Sequence, residues 1–152
     1  MRIRDIAAAD SRFFLKSEWG PASEYWPAVS FTKRSVGDLL RKACRPGIDF
    51  VVYSGTNSAE NTKDSRHRQN LLSIVRIDTS VEKATWELIP EESWSDAQGE
   101  HAGRWPYSFA MAAAWEMDGF PPAREIAKDA YRSLGMPANY GSVVEITGPE
   151  RE

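Results

Sequence analysis

Residues 121–135 constrain the fold more than any other stretch. Ala123, Ile126, Ala127, Ala130, Tyr131 and Leu134 recur at the spacing of one helical face, and Arg124, Glu125, Lys128, Asp129 and Arg132 fill the other. Pro121 suits a first turn and Gly135 a C-terminal cap, so the pattern predicts a helix from about Pro121 to Leu134. A helix with one apolar stripe must lay that stripe on another element. The partner is written elsewhere in the chain. Asp49-Phe-Val-Val-Tyr-Ser54 and Leu71-Leu-Ser-Ile-Val-Arg-Ile-Asp78 are β-branched and aromatic runs of strand length. The class that follows is α+β.

The remaining elements are shorter. A second helix is predicted from about Ser35 to Cys44, with Val36, Leu39, Leu40, Ala43 and Cys44 on one face. Ser35 and Asp38 have capping-box spacing, and Pro46-Gly47 stop the helix. Lys83 to Ile89 reads as a strand that pairs antiparallel with 71–78 after a short turn, and Ser142 to Thr147 as a closing strand. Residues 25–31 read as extended. Residues 106–117 carry both signals: Ala110 and Ala112–Ala114 favour helix, whereas the alternation Tyr107, Phe109, Met111, Ala113, Trp115 favours strand, which is the choice made here. Two polar segments remain, 55–70 and 90–104. The first has no apolar anchor between Gly55 and Leu71, so it should be more mobile than its flanking strands.

No internal repeat or Pro/Gly-rich linker divides the 152 residues, which is the usual size of one domain. Apolar residues at 41% and charged residues at 27% suit a globular core. Cys44 is the single cysteine and falls on the apolar face of its helix, which favours a buried, inert thiol and a reducing, cytoplasmic setting. The apolar run near the first residue is too short for a signal peptide, and no stretch approaches a membrane span.

Most chemistries are disfavoured. One Cys and two His cannot form a standard zinc site, and His67 and His101 read as exposed loop residues. There is no phosphate-binding glycine loop and no Gly-x-Ser-x-Gly elbow; Ser54 lies in Tyr-Ser-Gly-Thr. No catalytic residue, cofactor or metal is assigned. Charge is more informative. The net charge is −3, yet residues 31–76 hold nine basic and four acidic residues, a local balance of +5. Residues 77–152 carry −8. The middle third is therefore either solvated surface or a phosphate-facing side, with Arg66 and Arg68 as candidate phosphate contacts in the second reading.

One ordered constellation carries a family resemblance. Lys33-Arg34-Ser35 leads into Leu39-Leu40-Arg41-Lys42, then Arg45-Pro46-Gly47, then Val51-Val52-Tyr53-Ser54 and the strand Leu72 to Ile77. Trp105-Pro106-Tyr107 to Trp115-Glu116, the helix at 121–134 and the strand at 142–147 complete it. Over residues 26–147 this order resembles the EVE-type domains of the PUA-like superfamily, related to the YTH and ASCH domains. The chain departs from the pattern at Gly47-Ile48-Asp49, which inserts a residue, and at Tyr53-Ser54, which lacks a histidine.

The resemblance implies a single PUA-like domain, an open and mostly antiparallel β-barrel with flanking helices and a pocket between the barrel rim and the first helix. It implies a nucleic-acid-binding module, with DNA or RNA as partner, that holds a modified or flipped base between aromatic side chains. The candidate ligand-binding residues are Lys33, Arg34, Ser35, Tyr53, Ser54, Gly55, Thr56, Asn57, Trp105 and Tyr107. The alternatives are a hydrolytic enzyme on an ASCH-related scaffold and a protein-interaction or small-ligand module that uses the acidic C-terminal half.

Overall fold

The computed structural model describes residues 2–94 and 105–151. Most of the polar segment 90–104, with His101, lies outside the described residues. Six strands form one sheet: β1 (Phe13–Glu18), β2 (Ala28–Phe31), β3 (Phe50–Gly55), β4 (Leu71–Ala84), β5 (Tyr107–Glu116) and β6 (Val143–Ile146). Their spatial order is β2-β5-β4-β3-β1-β6, and every neighbouring pair is antiparallel except β1 with β3. Among the described residues β2 and β6 do not pair, so the sheet is open. Helix α1 (Arg34–Ala43) packs against β2, β4 and β5, and α4 (Lys128–Leu134) packs against β1 and β6. The short helices α2 (Thr85–Leu88) and α3 (Ala123–Ile126) complete the fold. No helix among the described residues is long and apolar enough to cross a membrane.

Strand alternation builds two cores. Phe14, Val51, Tyr53, Val75, Ile77 and Phe109 face α1 with Val36, Leu40 and Cys44. Phe13, Leu15, Phe50, Val52 and Ile74 face the other way, where Ala123, Ala127, Ala130 and Leu134 of the predicted stripe cover them. The ambiguous segment 106–117 is strand β5. It lies second in the sheet with partners on both sides, and that pairing outweighs the helix preference of its alanines.

The structure corrects four expectations. The chain does not turn between 78 and 83. Asp78 Oδ1 accepts from the Ser80 N–H (3.0 Å) and from its hydroxyl (2.5 Å), so residues 79–81 bulge and β4 runs on to Ala84, still paired with β5. Thr85–Leu88 is then a helical turn rather than strand, opened by the Glu87 carboxylate on the Ala84 N–H. The helix predicted for 121–134 is broken at Ala127, whose φ is −131°. Glu150, remote in sequence, accepts from the Asp129 N–H and caps a new start. Finally, α1 begins at Arg34 with Lys33 before it, so Ser35 lies within the first turn and makes no cap.

Strand β1 carried no expectation at all. Its Phe13-Phe14-Leu15 half is apolar, but Lys16-Ser17-Glu18 looks like loop. The Lys16 side chain is 9% exposed because its ammonium pairs with Glu18 beside it on the same face.

Candidate functional site: an indole cluster and two clefts

The aromatic residues converge where three segments meet. The chain leaves β1 at Trp19. It touches the α1-side core through Ala22, whose N–H donates to Ser73 Oγ (3.0 Å), and enters β2 just after Trp26. Trp105 stands just before β5, the ladder neighbour of β2. Trp19 lies 4.7 Å from Trp105 and Trp26 lies 5.9 Å from it, centroid to centroid, and both rings stand at 82° to the Trp105 plane. All three indoles are half-buried. Edge-on packing satisfies the ring quadrupoles.

A hydroxyl relay ties the Trp26 indole to the backbone of Trp105. The Trp26 indole N–H donates to Ser30 Oγ (2.8 Å), Ser30 meets Ser108 (2.6 Å), and Ser108 meets Thr85 (2.8 Å). The Thr85 hydroxyl donates to the Trp105 carbonyl. Ser30, Ser108 and Thr85 are buried, so every polar group in this chain is satisfied inside the protein. The Trp26 ring is therefore held through its N–H, and the Trp105 segment through its carbonyl, before any ligand arrives.

Two clefts are present. The first, about 560 Å³, is lined by Arg34, Lys83, Trp86, Pro106 and Tyr107, with Glu82 and Glu87. It adjoins the cluster, because Pro106 follows Trp105 and Trp86 follows Thr85. Tyr107 stacks on the buried Phe31 at 6.0 Å, and Trp86 is 44% exposed. The second, about 740 Å³, lies where the C-terminal ends of β1 and β3 meet the end of α4.

The residues singled out from sequence are thus divided. Arg34 and Tyr107 share the first cleft, and Ser54, Gly55 and Asn57 share the second. Trp105 is in the indole cluster. Tyr53 is 3% exposed within the α1-side core, where burial first and the nearby Glu18 second push its phenol well above the ordinary value. Lys33 donates to the Tyr140 carbonyl (3.2 Å). Thr56 is committed to Thr62 through a 2.6 Å hydroxyl contact. Arg66 is held by Asp64 at 2.7 Å, and Arg68 donates to the carbonyls of Thr62 and Lys63. His67, expected to be exposed, is half-buried edge-on against Phe120 at 4.6 Å.

Sequence reasoning passed over Trp19 as a site residue and took Trp26 only as part of an extended segment. Both precede or follow strands at Gly/Pro-containing turns, but only the tertiary fold shows that those turns meet. Cys44 is buried as expected, and burial, with Asp49 nearby, pushes its thiol up to about 12. No family model, no curated protein and no solved structure matches this chain. The fold and the site define an α+β domain with an open, mostly antiparallel sheet that presents an indole cluster beside a cleft carrying two cations and two carboxylates.

Proposed function

We propose that this domain binds nucleic acid and recognises a modified or flipped base at the Trp19–Trp26–Trp105 cluster. The observation that carries this reading is the pair of perpendicular indole contacts backed by a closed hydroxyl relay. The Trp26 ring is held before binding, which lowers the ordering cost of stacking a base against it. Stacking on an aromatic side chain contributes about 1–3 kcal/mol per base. That is enough to offset the few kcal/mol lost when a base leaves its stack. Arg34 and Lys83 in the adjoining cleft supply phosphate contacts, beside the carboxylates of Glu82 and Glu87 on the same walls. Ser54, Gly55 and Asn57 line the separate second cleft and Thr56 is committed to Thr62, so none of the four is assigned to this base.

The same reading takes the domain as PUA-like and EVE-type, with the sheet as an open barrel. What supports a curled sheet is the contact between Trp19 and Trp105. Their strands are three ladder positions apart, about 14 Å along a flat sheet, yet the rings meet. The single buried thiol of Cys44 supports a cytoplasmic setting.

The test is a titration of short labelled DNA and RNA, with and without N-methylated bases, at two salt concentrations. Trp105→Ala and Trp26→Ala should reduce discrimination between modified and plain bases while leaving the salt slope nearly unchanged. Arg34→Ala and Lys83→Ala should each reduce the log–log salt slope by about 0.7–0.9. Absence of binding to every oligonucleotide at low salt would overturn the reading.

A further inference from the structure

We propose that the second cleft, between the ends of β1 and β3 and the end of α4, is a separate ligand site that holds one nucleotide unit. None of the three indoles lines it, so it stands or falls independently of the cluster.

Its floor holds an unexplained polar group. Ser54 is 1% exposed, and its hydroxyl has no hydrogen-bond partner in the protein. Buried polar atoms are nearly always paired. Alternation along β3 sends Ser54 to the same side as Phe50 and Val52, and the parallel register places it beside Ser17 of β1, which also lines the cleft. Two neutral hydroxyls therefore stand side by side at the base.

The groups around them are also uncharged. Asn57 accepts from Gln69 through its carbonyl oxygen, which leaves its N–H donors for a ligand. Asn139 donates its amide N–H to Ser133, which leaves its carbonyl oxygen. One wall is apolar and open: Met136 is 51% exposed and Tyr140 is 60% exposed. Among the lining residues Arg132 is the one cation, and the Lys33 ammonium lies just outside, committed to the Tyr140 carbonyl (3.2 Å). Arg132 lies in the last turn of α4 and forms no ion pair among the described residues.

This combination selects a ligand class. A purely apolar molecule would leave Ser54 unpaired. A sugar could stack its C–H face on Tyr140 but brings no anionic group to Arg132, and a polyanion would meet one lining charge only. A flat ring, neutral hydrogen-bonding edges and one anionic group together describe a nucleotide, whose phosphate a guanidinium binds in a forked geometry. The volume, about 740 Å³, lies in the range of small-molecule sites.

The unit comes either as a free mononucleotide or as part of a strand, and the test separates the two. The whole protein is titrated calorimetrically with the four ribonucleoside 5′-monophosphates, with the matching nucleosides, with benzoate, and with an oligoribonucleotide blocked at both ends. At least one monophosphate should bind saturably, about tenfold or more tighter than its nucleoside, the worth of one charge-assisted pair. Arg132→Ala should remove that difference and leave nucleoside binding unchanged, whereas Ser54→Ala should weaken both. Trp105→Ala should leave mononucleotide binding intact, so failure here and failure of the base-reading cluster are distinguishable. Competition by the blocked oligonucleotide assigns the site to a strand, and its absence to a free nucleotide. No saturable monophosphate binding, benzoate binding as tightly as the best nucleotide, or affinities untouched by both substitutions would overturn the proposal.

Discussion

Asp49 shows how much one side chain fixes here. Its carboxylate is fully buried, and burial alone would raise it. Hydrogen bonds from the Arg45 side chain and backbone and from the Arg12 N–H outweigh burial and hold it below its usual value. A depressed carboxyl stabilises the fold above its unfolded value of about 3.9, and that contribution is lost as pH falls through the folded value. Acid unfolding should therefore steepen below about pH 4, and Asp49→Asn should flatten that limb while costing ~2–3 kcal/mol at neutral pH. Chemical denaturation at several pH values checks both. Ser54 points the other way. Ser54→Ala removes an unpaired buried hydroxyl, so stability should rise by about 1 kcal/mol even as ligand binding falls. Cys44, raised to about 12 by burial, should resist a thiol reagent at pH 8 until denaturant is added.

At the scale of elements, close approach decides what each position tolerates. A Cβ on Gly37 would lie 2.7 Å from the ring of buried Phe31. Gly37→Ala gains helix propensity of about 1 kcal/mol but must displace that ring, and overpacking at about 1–3 kcal/mol outweighs the gain. A lowered thermal midpoint is expected, and a raised one would show that Phe31 yields freely. The loop 55–70 lacks an apolar anchor, as its composition indicates, but it has a polar one. Thr62 is completely buried, its N–H donates to the Ser58 carbonyl (2.8 Å), and its hydroxyl accepts from the Thr56 N–H (3.1 Å). Hydrogen exchange should find 55–70 less protected than 71–77, with Thr56 and Thr62 as local exceptions. Thr62→Val should lower protection at Thr56, which then keeps only the Glu18 carbonyl, and spare Thr62, whose N–H stays on the Ser58 carbonyl.

Over the whole molecule, the charge of the middle third is largely consumed internally. Of its nine basic residues, Arg41, Arg45 and Arg66 are in ion pairs. Lys33, Arg68 and Arg76 donate to carbonyls. Among the described residues only Arg34, Lys42 and Lys63 of the nine make no such contact. The middle third should therefore add at most about three phosphate contacts to the salt slope of nucleic-acid binding, fewer than a local balance of +5 would suggest, since each neutralised phosphate adds about 0.7–0.9 to the slope. Binding isotherms from low to moderate salt measure it directly.

By itself the sequence determined the α+β class, the burial of Cys44, the strands at 50–55, 71–78 and 143–146, and the apolar stripe on 121–134, because those features depend on periodicity that neighbouring residues carry. It left β1 unassigned, since Lys16 and Glu18 become strand residues only when they neutralise each other against β3 and β6. It missed the break at Ala127, which a carboxylate from Glu150 makes possible. The indole cluster was beyond its reach for the same reason. Trp19, Trp26 and Trp105 are separated by as many as 86 positions, and no local pattern marks them as neighbours. Only pairing of the strands around them brings the rings to within 4.7 and 5.9 Å, because contacts distant in sequence are set by how elements pack and not by what each element is.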